Sequence, residues 1–194
     1  MKKKFFAVAA LCAGLASAAG AATIDFDAAN TGVIPPSTSL TEDGFNFSVF
    51  SGGAWGIDGG GDTGNALWIG NFNPIALTDR LVISRVGGGW FSFDGLSYRS
   101  GGDTSDGINL VGRNGGLDIF SLSLSASSSI WLSLPGQSAL LDEIWLVGAS
   151  IGSAALVTDN YVLTPDVAVV PLPAGALLLI SGLGLLALAR RRTV

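Results

Sequence analysis

Histidine is absent from the 194 residues, and cysteine occurs once, as Cys12. Lysine is confined to Lys2, Lys3 and Lys4, and glutamate to Glu42 and Glu143. These absences exclude internal disulfides, His-based triads and zinc sites built from His or Cys. Cys12 follows Leu11 inside an apolar N-terminal run, whereas a lipoprotein cysteine follows a small residue at the end of such a run. Between residues 22 and 166 the basic residues are Arg80, Arg85, Arg99 and Arg113, set against all 15 acidic residues, a net charge of −11 rather than the −5 of the whole chain. Such a charge keeps a domain soluble, disfavours nucleic acid and anionic lipid, and favours cations, calcium included. Few side chains remain for acid–base work. Glu42 adjoins Asp43 and Asp142 adjoins Glu143, each pair in a turn-like context where carboxylates face solvent. No catalytic residue and no enzymatic activity are expected.

What is present is concentrated at the two ends. Lys2–Lys4 form a positive n-region, Phe5 to about Ala16 an apolar h-region, and Ala19-Gly20-Ala21 an A-x-A site with cleavage expected before Ala22. Residues 1–21 are therefore expected to be a signal peptide. At the other end Val170-Pro171-Leu172-Pro173-Ala174 precedes an uncharged, Leu-rich run from Gly175 to Ala189, and Arg190, Arg191 and Arg192 follow. The two prolines hold the motif extended. The run is expected to form one transmembrane helix, and the arginines to act as a stop-transfer cluster on the cytoplasmic side.

This tripartite tail, over residues 167–194, resembles the PEP-CTERM class of sorting signals in its VPLPA-CTERM variant. The resemblance implies an exosortase substrate of a Gram-negative bacterium, with Val170–Ala174 as the processing motif. It implies export by the general secretion machinery and a precursor held in the inner membrane with its ectodomain periplasmic. The mature protein would then reach the cell surface or the extracellular matrix, where exopolysaccharide is a candidate partner.

The residues between, 22–166, suit one domain. Short runs of Ile, Val, Phe, Leu and Trp alternate with Gly, Asp, Asn and Ser clusters, and no long helical stripe appears. Strands are expected at Ile24–Phe26, Phe45–Phe50, Ala66–Ile69, Leu81–Val86, Trp90–Phe93, Leu96–Arg99, Ile108–Gly112, Asp118–Leu124, Ser129–Leu134, Ile144–Val147 and Tyr161–Leu163. Phe45, Phe47 and Val49 share one face and Asn46 and Ser48 the other, the mark of a half-buried strand. The expected fold is all-β, an antiparallel, jelly-roll-like sandwich. The order of strands and loops is also similar to the sandwich ectodomains of PEP-CTERM proteins, which open with an F-D element and close with a D-N element. Phe26-Asp27 and Asp159-Asn160 are the counterparts.

If the first and last strands are neighbours, Asp25 or Asp27 would lie near Asp159 and Asn160, a set of hard oxygen ligands suited to a structural calcium ion. The same residues serve equally as turn formers. Gly59–Gly64 formally satisfies G-x-G-x-x-G but lacks a following helix and a βαβ unit. Gly-Gly-Asp-Thr occurs at Gly60–Thr63 and again at Gly101–Thr104. Of the five tryptophans, Trp55, flanked by Gly52, Gly53 and Gly56, reads as a loop residue able to stack on sugar, with Trp90 second. Trp68, Trp131 and Trp145 sit in apolar runs and are expected in the core. The ectodomain thus reads as a structural or adhesive component of the surface, or alternatively as a calcium-assisted carbohydrate-binding module acting on exopolysaccharide.

Overall fold

A computed structural model describes residues 20–35, 37–50, 54–70, 80–101, 108–148 and 155–166. Val170–Ala174, the run to Ala189, Arg190–Arg192, Ala19 and the second Gly-Asp-Thr segment lie outside them. The described residues form β1 (Ala22–Ile24), β2 (Gly32–Ile34), β3 (Ser39–Glu42), β4 (Phe45–Phe50), β5 (Ala54–Asp58), β6 (Ala66–Gly70) and β7 (Arg80–Arg85). Then follow β8 (Phe91–Ser100), β9 (Ile108–Asn114), β10 (Leu117–Leu124), β11 (Leu132–Leu141), β12 (Glu143–Gly148) and β13 (Ala155–Pro165). Two sheets result. One has the order β11-β8-β13-β6-β5-β2 with β1 also on β13, and the other β10-β9-β12-β7-β4-β3. Every pairing is antiparallel, so the domain is an all-β sandwich.

Alternation decides which side chains meet between the sheets. Phe45, Phe47 and Val49 of β4, Leu81 and Ile83 of β7, and Ile144 and Leu146 of β12 are buried from one side. Leu67, Ile69, Phe91, Phe93 and Leu163 are buried from the other. The hairpin turns carry the backbone their residues suit. Asp43-Gly44 joins β3 to β4 and Gly115-Gly116 joins β9 to β10, all four at positive φ, as two-residue hairpins require. Asp43 is exposed in the turn as expected, whereas Glu42 ends β3 and is half-buried.

Three strands depart from expectation. β2, β3 and β5 were not legible because they are short and rich in Gly, Ser or Thr. Gly56, which reads as a loop glycine, lies within β5, where a Cβ would come 2.6 Å from the carbonyl oxygen of Gly32. Glycine there permits a close strand approach rather than a turn. The strands expected at Trp90–Phe93 and Leu96–Arg99 are one strand, β8, continuous through Gly95. The strand expected at Ser129–Leu134 lies later, at Leu132–Leu141.

The first strand does lie beside the last: Ala22, Thr23 and Ile24 pair with Leu163, Val162 and Tyr161. β6 occupies the same side of β13 further up, ending its ladder at Leu67↔Thr158. Asp159 and Asn160 fall in the gap between β6 and β1, where β13 has no ladder partner on that side. The Asp159 carboxylate fills the gap. Its Oδ2 accepts from the N–H of Asp62 at 2.8 Å and of Thr63 at 3.4 Å, and its Oδ1 from the N–H of Asn160 at 2.7 Å. From the other side Asp27 Oδ1 accepts from the N–H of Asn65 at 2.8 Å. The loop Gly59–Asn65 is thereby held between the two ends of the domain. A Cβ at Gly64 would fall on the Asp27 carboxylate, so only glycine fits there.

Removing the Asp159 acceptor leaves these N–H groups unsatisfied, at a cost of about 2 kcal/mol. Asp159→Ala should lower the urea midpoint accordingly, and an unchanged midpoint would show that the latch contributes nothing. Burial pushes the Asp159 carboxyl above its ordinary value, against the lowering effect of the three N–H groups. Burial also raises Glu42, helped by the charges of Asp43, Asp25 and Asp27. The folded protein therefore holds both protons more tightly than the unfolded chain. Stability falls as pH rises through the raised pKa values and is regained on acidification, until the ordinary carboxylate range is reached. The urea midpoint should increase as pH is lowered from neutral towards the ordinary carboxylate range; a midpoint that fell on that acidification would contradict the assignment.

Candidate functional site

The four residues expected as calcium ligands lie around the junction of β1 with β13, and each has at least one oxygen that accepts a hydrogen bond. Both oxygens of Asp159 accept backbone N–H groups, and Asp159 is buried. Asp27 Oδ1 holds Asn65, Asp25 Oδ1 accepts from the N–H of Asp27, and Asn160 Oδ1 accepts from the Thr63 hydroxyl at 3.3 Å. Among the described residues no three His, Cys, Asp or Glu side chains are arranged to hold a metal ion. The set forms a hydrogen-bonded latch, and Gly59–Gly64 forms the clamped loop.

Four of the five tryptophans depart from their expected placement, and Trp90 alone keeps it. Trp55 is not a solvated platform. It lies on β5 opposite Ile69 of β6 and Ile34 of β2, and it is fully buried in the core. Trp68, Trp131 and Trp145, expected in the core, are each only partly buried. Trp90 is exposed at 52%, just after the glycine turn that follows β7, and its carbonyl accepts from the N–H of Asp166.

Trp145 is the centre of an arrangement the sequence reading missed. It lies on the outer face of the six-stranded sheet, between the inward-facing Ile144 and Leu146. The Arg80 guanidinium carbon sits 4.1 Å from its ring centroid and that of Arg113 3.6 Å. Its Nε1–H donates to Glu143 Oε2 at 2.7 Å. Arg113 is anchored in turn by Asp118, with Nε donating to Oδ1 at 2.7 Å. Arg80 pairs across the ladder with Phe50 of β4, whose ring centroid is 5.0 Å from the guanidinium. Strands β4, β7, β12 and β9 thus carry a row of Phe50, Arg80, Trp145 and Arg113. Each guanidinium lies over an aromatic ring, a contact that restricts the movement of its N–H donors.

Beside this row lies a groove of about 550 Å³ lined by Ser37, Thr38, Ser39, Ser48, Val49, Phe50 and Arg80. Its described walls offer hydroxyl groups, an aromatic edge and one guanidinium. A signal for this face does exist in the sequence. In Glu143-Ile144-Trp145-Leu146-Val147 the tryptophan has the parity of a charged residue, so strict alternation turns it outward. The hydrophobic appearance of the run hides that parity.

No family model and no curated protein matches the chain. Among solved structures it is similar to two mutants of a family 29 carbohydrate-binding module. Each is 13% identical over 70% of this chain, with 84% and 90% of the module covered and TM-scores of 0.44 and 0.47. It is also similar to an arabinose-bound α-L-arabinofuranosidase, 14% identical over 74% of this chain and 26% of the enzyme, with a TM-score of 0.45. At these identities the chain is placed in none of these families.

Proposed function

We propose that this chain is an exported bacterial surface protein, anchored and then processed through its C-terminal sorting signal, whose ectodomain is adhesive and binds polysaccharide. The observation that carries the binding role is the row Phe50, Arg80, Trp145 and Arg113 with its hydroxyl-lined groove. Polysaccharides offer flat apolar ring faces and many hydroxyls. A groove that presents an aromatic ring, serine and threonine hydroxyls and the Arg80 guanidinium matches both. An antiparallel sheet supports such a row rigidly, since four strands each contribute one position. The tail supplies delivery: Val170–Ala174 for recognition by an exosortase, the apolar run for retention, and Arg190–Arg192 for topology.

Arg80→Ala and Trp145→Ala should each weaken binding to the exopolysaccharide of the producing bacterium by at least about tenfold, the loss expected for one charge-assisted hydrogen bond or one aromatic contact. Trp90→Ala should leave affinity unchanged. Titration calorimetry with the full chain in detergent tests this, and unaltered affinity in both row variants would remove the binding assignment. For the tail, replacing Pro171-Leu172-Pro173-Ala174 by Gly-Ser residues should leave full-length protein in the inner membrane. Unchanged release to the surface on immunoblots of cell fractions would overturn the sorting role.

A further inference from the structure

Among the described strands, the long β10 and β11 and the short β1, β2 and β3 lie at sheet edges, and of the two long ones only β10 is left open. Each sheet ends on one side in a short strand, β2 with three residues and β3 with four. On the other side each ends in a long strand, β11 with ten residues and β10 with eight. Edge strands carry unpaired N–H and C=O groups that template pairing with another chain, and proteins block them with charges, prolines or bulges. β11 is blocked by Pro135 and by a bulge between Gln137 and Leu140. β3 ends in Glu42, beside Asp43. On β10 a bulge and Asp118 guard only the beginning. From Phe120 to Leu124 the strand runs in unbroken register with β9, from Gly112 to Ile108, and pairs with no other described strand.

The charge distribution says what fits there. In a domain of net charge −11, two copies repel almost everywhere they could meet. From Ile119 to Leu141 the sequence contains no charged residue. That stretch includes the open part of β10, and apolar side chains stand exposed at the start of the strand, Leu117 at 71% and Ile119 at 47%, and in the connection that follows it, Ile130 at 68%. We infer that β10 is a self-association edge, on which a second copy of this chain pairs antiparallel and continues the six-stranded sheet across a two-fold axis. The sequence is self-complementary about Leu122. Phe120 falls opposite the partner's Leu124 and Ser121 opposite the partner's Ser123. Inward-facing residues therefore stay with inward-facing ones, and small hydroxyls meet on the outer face. Such pairing leaves the groove by Phe50 and Arg80 free, since β3 and β4 lie at the far side of the sheet. Each dimer would then present two binding faces on one continuous sheet.

Sedimentation velocity of the full chain in mild detergent should show a reversible monomer–dimer equilibrium. In hydrogen exchange, amides of residues 120–124 should become more protected as concentration rises, while those of β2 do not change. Ser121→Glu with Ser123→Glu places like charges opposite one another across the axis and should raise the dimer dissociation constant by on the order of tenfold. Val33→Glu, on the opposite edge, should leave it unaltered. Both sites are exposed, so near-native circular dichroism is expected of every variant. A chain monomeric at all concentrations would overturn the inference. So would a dimer indifferent to the double substitution, or one without added protection in β10, since its contact would then lie elsewhere.

Discussion

The sandwich depends on one contact made by its first and last segments. Phe26, Phe47 and Tyr161 form a triangle of edge-to-face rings, with centroids 5.1, 6.0 and 5.7 Å apart, all fully buried. Tyr161 comes from β13, Phe47 from the opposite sheet, and Phe26 from the turn just after β1. Each such pair contributes about 1 kcal/mol beyond simple area burial. The triangle also holds two unfavourable backbone conformations, Phe26 at φ 58° and Asn160 at φ 51°. A bulky residue enters the left-handed region only when its surroundings over-determine it. Here the buried ring of Phe26 and the carboxylates on either side do so. The Tyr161 hydroxyl donates to Thr158 Oγ1 at 2.7 Å, so the polar end of the buried ring is satisfied too.

The scarcity of cations shapes the outer surfaces. With no lysine between residues 22 and 166, every guanidinium there counts, and three of the four lie over tryptophan rings. Arg99 lies over Trp131 at 5.2 Å and also donates to the Gly60 carbonyl at 2.9 Å, tying the latch loop to the outer face of the seven-stranded sheet. Stacking costs arginine little hydration, because its guanidinium is weakly hydrated and flat. The arrangement covers part of each indole from water and turns the arginines into oriented donors.

Much of the architecture was legible. β4 has the boundaries that its alternation of Phe45, Phe47 and Val49 suggests, and the proximity of β1 to β13 follows from the expected jelly-roll-like order. The F-D and D-N elements meet as that proximity implies, and they clamp the Gly59–Asn65 loop. A list of oxygen-bearing residues does not reveal that backbone N–H groups reach them first. Trp55 shows the opposite failure. Its glycine neighbours suggest an exposed loop, yet Gly56 is there because the Gly32 backbone approaches it in a strand. Local composition cannot separate these two uses of glycine.

The sequence by itself determined the charge balance, the absence of disulfide and histidine chemistry, the alternation that makes a sandwich, and the tripartite pattern of the tail. These depend on residue type and on spacing along the chain, which are local quantities. Only the tertiary structure decided which tryptophan is buried, that Phe50, Arg80, Trp145 and Arg113 form one row, and that β10 is the open edge. Each of these is a matter of which strands become neighbours, and the neighbours on the six-stranded sheet come from positions 39 to 148 of the chain. That order follows from how the whole set of apolar faces packs together, and no single segment encodes it.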